Sequence, residues 1–428
     1  MASALKSEKT IIASIAICDS IPPLGYLLTG DPLLLQTAAL FLKIVIVFLN
    51  FDKIYVKSHY IFLLGAMITL TASGAAVDFF GDKFSYIEFS KYLSFTISLM
   101  ITISLTNSKN IQRYCNFSCI IPTCVAFAHV FLAFSGRVAS SYYGRYEYVN
   151  GAHPNLGGEI AAAGAFACAI AIRGKISIPI LAILFTSAYI CESRAALISI
   201  IICTLICLYS NIITSKAKFS LSIGIIVSII VSILLVLYTK NIINFISHDL
   251  LMSDDAYRGG GTGFVGRDER WALGMKLFRE SPFVGNGLSI TTDSEFTVHN
   301  ALLYSLAKHG LLSIIFWLPF IIALHKIFKE NIIIFASILS MIPLFVFNDR
   351  FINLNNYPFI VYVVIFTFFV GRDFTKLPDA AIFGKQRSNA SQGGAGAEAL
   401  ARPREDSLPP AVARRRAALG AGLGKQHD

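Results

Sequence analysis

The chain is expected to fold as an all-α polytopic membrane protein with about 12 transmembrane helices, and three observations lead there. Hydrophobic residues make up 55% of its 428 residues and charged residues only 14%, with a mean hydropathy of +0.64, whereas a soluble domain carries about a quarter charged residues. Apolar runs near the ~20 residues that a bilayer core requires recur along the chain. Lysines and arginines alternate between the connections of those runs, as the positive-inside rule demands. The formal charge of +10 is scattered between apolar spans rather than clustered, so it reads as topogenic charge and not as a nucleic-acid surface.

The runs lie at residues 10–29, 32–50, 59–79, 86–106, 114–135, 157–172, 176–191, 195–213, 219–238, 300–324, 331–348 and 354–370. The first contains Pro22 and Pro23 and should be kinked. No small-residue cleavage site follows it, so it reads as an uncleaved helix. Seven connections carry two basic residues each: Lys6 and Lys9, Lys53 and Lys57, Lys109 and Arg113, Arg173 and Lys175, Lys216 and Lys218, Lys326 and Lys329, Arg372 and Lys376. The short connections of the opposite set hold one or two basic residues or none: Lys83, Arg137 and Arg145, Arg194, Arg350. Both termini are therefore expected in the cytoplasm, with residues 239–299, between the ninth and tenth helices, outside. The eight cysteines nearly all fall in apolar segments and read as small hydrophobes, not as disulfides or metal ligands.

Two domains are expected. Residues 1–376 form the membrane domain. Residues 377–428, rich in Ala, Gly, Arg and Pro, cannot bury a core and should be a disordered cytoplasmic tail.

An arginine outside works against the charge rule and needs another reason. Arg194, in CESRAALIS, could fork onto a phosphate at the membrane edge; pairing with Glu192 or with helix-end carbonyls accounts for it as well. In the long loop, residues 268–280 have helical composition, with Trp271, Met275 and Phe278 on one face. Arg267 and Arg270 stand one turn apart near the start, where free amides and the helix dipole favour an anion. Taken alone, His299 reads first as a helix-capping residue and second as a general base. His309 reads as a bundle-interior residue. The acidic residues do not compose a metal site, and no phosphate loop or dinucleotide fingerprint is present.

Gly266-Arg267-x-x-x-Trp271, then Pro282, Gly285-Asn286-Gly287, His299-Asn300 and Gly310, resembles the signature of the bacterial O-antigen ligase and polymerase superfamily. Ser193-Arg194-Ala195 resembles its second arginine motif, and Gly144-Arg145 with His153-Pro154-Asn155 is similar to a third, looser one. The resemblance implies a GT-C-type glycosyltransferase fold in the bacterial inner membrane with its site in the long periplasmic loop. It implies an O-antigen ligase that moves a glycan from undecaprenyl pyrophosphate to a core sugar of lipid A-core, making lipopolysaccharide, with no metal and no cofactor. Carried over by residue, Arg194 and Arg267 would stabilise the leaving pyrophosphate and His299 would deprotonate the acceptor hydroxyl, inverting the anomeric carbon. Arg270, Arg145, Asn155, Asn300 and Trp271 are expected to bind substrate.

Other activities share these residues. A polymerase would elongate the polyprenyl-linked glycan, and a protein O-oligosaccharyltransferase would use a Ser or Thr hydroxyl. A transporter of polyprenyl-linked glycan would want charged groups along a membrane path, for which Asp19, Lys43, Glu88, Lys91 and Glu159 are the candidates.

Overall fold

The computed structural model describes residues 7–54, 58–138, 140–142, 145–171, 176–214, 267–291, 298–349, 351–354 and 356–371. The expected ninth span (219–238), the long loop before Arg267 and the tail 377–428 lie outside the described residues. Helices stand over the other expected spans. They are α1 (Glu8–Ser20), α2 (Pro22–Thr29), α3 (Leu33–Leu49), α4 (Ser58–Phe80), α5 (Tyr86–Leu105), α6 (Ile111–Ser118), α7 (Ile120–Phe134), α8 (Pro154–Ala171), α9 (Ser177–Ile190) and α10 (Arg194–Thr214). After the long loop come α11 (Arg267–Glu280), α12 (Ala301–His309), α13 (Ile314–Glu330), α14 (Ile332–Leu339), α15 (Ile342–Phe347) and α16 (Asn356–Val370). A small antiparallel hairpin, β1 (Ser140–Tyr142) with β2 (Arg145–Tyr146), precedes α8.

Among the described residues three helices are long and apolar enough to cross a membrane, His59–Phe80, Ile111–Phe134 and Ala301–Glu330, and α1–α2 makes a fourth if the bent pair is one span. The apolar helices at Leu33–Leu49, Ser177–Ile190, Arg194–Ser210, Ile332–Phe347 and Tyr357–Val370 are shorter. Large apolar side chains such as Phe41, Phe48, Ile61, Phe79 and Phe80 are exposed, a cost that only a lipid solvent removes. The protein is an integral membrane protein. The 45° break between α1 and α2 falls at Pro22-Pro23, where the ring nitrogens cannot donate to the preceding turn.

At the centre stands α8, buried almost throughout and packed by α10, α9, α6, α16 and α7. Its sequence, PNLGGEIAAAGAFACAIA, explains the position: small side chains let neighbouring backbones approach closely, the usual basis of helix association in lipid. The other central helix, α16, is apolar around its circumference and buried from Tyr357 to Val370.

Several charges inside the bundle are paired. Lys43 of α3 donates to Asp19 of α1 (2.6 Å) and to the carbonyl and hydroxyl of Ser98 on α5. Thr102 and Tyr114 hydroxyls donate to the other Asp19 oxygen. Lys91 meets Glu88 at 2.6 Å, and Lys308 lies 3.6 Å from the same carboxyl group. The Lys43–Asp19 and Lys308–Glu88 pairs each tie two helices together, whereas Lys91 and Glu88 lie three residues apart on α5.

Between α12 and α13 the span is interrupted at Gly310–Ser313, and the segment after α11 fills the break. Leu311 and Leu312 N–H groups donate to the carbonyls of Pro282 and Phe283, while Asn286 and Gly287 N–H groups donate to Ala307 and Lys308. Gly285 (φ 74°) and Gly310 (φ 57°) occupy left-handed backbone, and a methyl group on Gly285 would collide with the Lys308 backbone. The same segment is held to α4 by Asp78, whose Oδ2 accepts from the Leu288 and Ser289 amides and the Ser289 hydroxyl at 2.9–3.0 Å.

Candidate functional site

Arg194 and Arg267 are each the first residue of a helix, α10 and α11. At a helix N-terminus unsatisfied N–H groups and the positive dipole end disfavour a cation and favour an anion. Arginine and helix N-terminus together make a setting in which a phosphate would be favoured. α10 follows a turn in which Glu192 takes a left-handed conformation (φ 48°). The Ser193 amide donates to Ala188 and the Glu192 amide to Tyr189, the hydrogen-bond pattern of a Schellman cap. That turn places Arg194 half-buried at the head of its helix.

His299 sits just before Asn300, the residue that caps α12, with φ 50°. A histidine in left-handed backbone is strained by about 1–3 kcal/mol and persists only where its surroundings over-determine it. Here they do. Val298 is buried beneath Gly274 of α11, Trp271 Nε1–H donates to the His299 carbonyl at 3.5 Å, and Asn300 caps α12 through its side-chain oxygen on the Leu303 amide. Capping therefore falls to Asn300, not to His299.

The His299 side chain faces two arginines and an acid. Arg270 Nη1 lies 2.9 Å from Nε2. A guanidinium can only donate, so Nε2 accepts and the imidazole proton resides on Nδ1. Burial, helped by Arg270 and Arg267 and opposed by Asp349, holds the imidazole below the ordinary histidine range. A neutral imidazole with an acceptor nitrogen beside guanidinium groups has the parts of a general base next to an anion site.

Phe347, the last residue of α15, carries the Arg267 guanidinium 4.8 Å above its ring and stacks on Trp271 with centroids 6.4 Å apart. Asn348 then donates to Glu159, which is buried on α8. The residue before it, Gly158, lies so close to Ser193 that a methyl group there would overlap the Ser193 side chain. Arg194 is thus linked to Arg267 through Ser193, Gly158, Glu159, Asn348 and Phe347, a relay of neighbouring residues and not a direct contact.

The remaining expected residues fall as follows. Asn155 is in the first turn of α8, its amide donating to His153 Nδ1 at 3.1 Å. Arg145 lies in β2, and its side chain is outside the described ones. Trp271 turns inward to Phe347 and the His299 carbonyl. The expected apolar stripe of α11 is shifted: its packed face is Trp271, Gly274 and Leu277, against Val298, Leu303 and Tyr304. Met275 and Phe278 are half-buried, as are Trp271 and Leu277, but only the latter two pack on the Val298 cluster. Gly274 explains the shift, since an absent side chain draws the neighbouring helix to it. His309 is buried and bonds the Tyr92 hydroxyl at 3.0 Å. Sequence reasoning missed Phe347, Asn348, Asp349 and Asp78. The polar break Asn348-Asp349-Arg350 between two apolar runs was the available signal, of which only Arg350 entered the charge count.

Residues 179–318, about a third of the chain, match the family model described as O-antigen ligase. The matched stretch holds Arg194, Arg267, Arg270, Trp271, His299 and Asn300 and supports the resemblance to that family; Arg145, Asn155 and Phe347–Asp349 lie outside it. No curated protein matches the chain.

Proposed function

We propose, from the premise that residues 179–318 carry an O-antigen ligase match, that this chain is an O-antigen ligase of the bacterial inner membrane. On this reading it crosses the bilayer twelve times in a GT-C-type fold, with both termini cytoplasmic. Residues 1–376 are the catalytic membrane domain, 239–299 the periplasmic loop, and 377–428 a tail without catalytic work. Glycan passes from undecaprenyl pyrophosphate to a hydroxyl of a lipid A-core sugar.

The observation that carries the proposal is the neutral His299 held beside Arg270 and Arg267 on the matched segment. In the reaction the acceptor hydroxyl attacks the anomeric carbon, its proton passes to the imidazole, and the bond to the pyrophosphate oxygen breaks with inversion. Negative charge grows on that oxygen. Arg194 and Arg267, at two helix N-termini, supply fixed donors where it grows, the role a divalent ion fills elsewhere. Arg145, Asn155 and Asn300 are assigned to the glycan and its diphosphate, and Trp271 to the placement of His299.

The test is reconstitution of the purified chain in liposomes with undecaprenyl-pyrophosphate glycan and lipid A-core. Glycan on lipid A, formed equally in the presence of chelator, is the expected product. Longer polyprenyl-linked glycan with none on lipid A would refute the ligase assignment in favour of a polymerase.

A further inference from the structure

Resting on that reading, the contact between Arg270 and His299 raises a chemical difficulty. The lone pair that must take the acceptor's proton already accepts a hydrogen bond from Arg270 at 2.9 Å. A base so capped cannot approach a sugar hydroxyl with the same nitrogen, and Nδ1 carries the ring proton.

The two partners differ in exposure and in backbone restraint. His299 is fixed: its backbone is bonded by Trp271, its predecessor is buried, and its successor caps α12. Arg270 is exposed on α11, at the end of a long side chain. Arg267, one turn earlier on the same helix, has its guanidinium over the Phe347 ring. A diphosphate arriving at Arg267 comes within one helical turn of Arg270. It offers several charged oxygens that can accept bidentate hydrogen bonds from a guanidinium, where the imidazole offers one neutral nitrogen.

We propose that Arg270 is a gate on the base: it covers His299 Nε2 in the empty protein and leaves it for the diphosphate of the bound donor, so that the base is uncovered only when there is a glycan to transfer. The gate couples donor occupancy to acceptor activation and protects an idle site from spurious proton transfer. Arg270 then holds the donor it has sensed, one side chain in two successive roles.

Acylation of His299 Nε2 by diethyl pyrocarbonate reads the exposure of that nitrogen directly. It is followed by peptide mass spectrometry on the full chain in nanodiscs, with the exposed His325 as internal reference. The probe is undecaprenyl pyrophosphate without glycan, its binding measured on the same samples. Saturating probe should speed His299 acylation in the native chain by about tenfold, the factor of one hydrogen bond involving a charged group. In Arg270→Gln the reaction should be fast from the start and no faster with probe. Equal rates in native and R270Q chains, or slowing of the native chain by probe, would overturn the gate. Probe binding that leaves the native rate unchanged overturns the gate alone; failure of the native chain to bind probe removes the donor assignment beneath it as well. The native comparison stands even if R270Q does not fold.

Discussion

Arg194 and Arg267 each place a cation where the helix dipole already supplies positive potential, and on the proposed reading both serve the donor's diphosphate. Replacing either with glutamine is expected to lower kcat for glycan transfer by about 10²–10³, the usual loss for one transition-state donor, with lipid A-core binding unchanged. Replacing His299 with alanine should cost about 10²–10⁴ in the same assay. The lowered imidazole also fixes a pH dependence. Because the base works neutral, its rate persists below pH ~6.5, the ordinary histidine value, and fails only as pH falls through the depressed pKa. Asp349→Asn removes the charge that opposes the depression and should move the acid limb lower; Arg267→Gln should move what activity remains in the opposite direction. A pH–rate profile with its acid limb above the ordinary histidine value would contradict the assignment. At this scale the sequence was informative where an odd residue breaks a rule, as Arg194 breaks the charge rule. It was silent on Phe347 and Asn348, whose significance depends on what lies across from them.

Elements were legible where one property decides them. Apolar runs marked where helices stand among the described residues, paired prolines marked the break after α1, and helical composition marked α11. What could not be read is which helices are neighbours. Asp19 and Lys43 look like isolated membrane charges along the chain, yet they form one bond, completed by Ser98, Thr102 and Tyr114. Lys43→Met alone should strand a buried carboxylate and cost about 3–5 kcal/mol; the double replacement Asp19→Leu with Lys43→Met should recover most of it. Thermal unfolding in nanodiscs measures both, and an additive double variant would deny the pairing. Asp78 acts likewise on the loop. Asp78→Ala leaves three donors stranded at Leu288 and Ser289, about 1–3 kcal/mol for each, and should lower transfer and the unfolding temperature together. Asp78→Asn keeps an acceptor and should restore part of both.

Across the whole molecule, fourteen-residue α11 is the piece that joins chemistry to membrane. It packs on α12, contacts Phe347 at the end of α15, and leads into the segment anchored on α4. Deleting residues 377–428, which no part of the proposed mechanism uses, should leave transfer in reconstituted liposomes unchanged within twofold. A larger loss would show that the tail has work to do.

The interruption between α12 and α13 has a consequence in time. A ribosome delivers residues 282–289 before Leu311 and Leu312, and the amides of those two leucines find their acceptors in Pro282 and Phe283. With the long loop periplasmic, as proposed, the upstream segment must cross the membrane before the later hydrophobic stretch leaves the insertion machinery. Biogenesis of this half of the protein is ordered by its own backbone, and a stall in threading the loop would leave the following span unable to close.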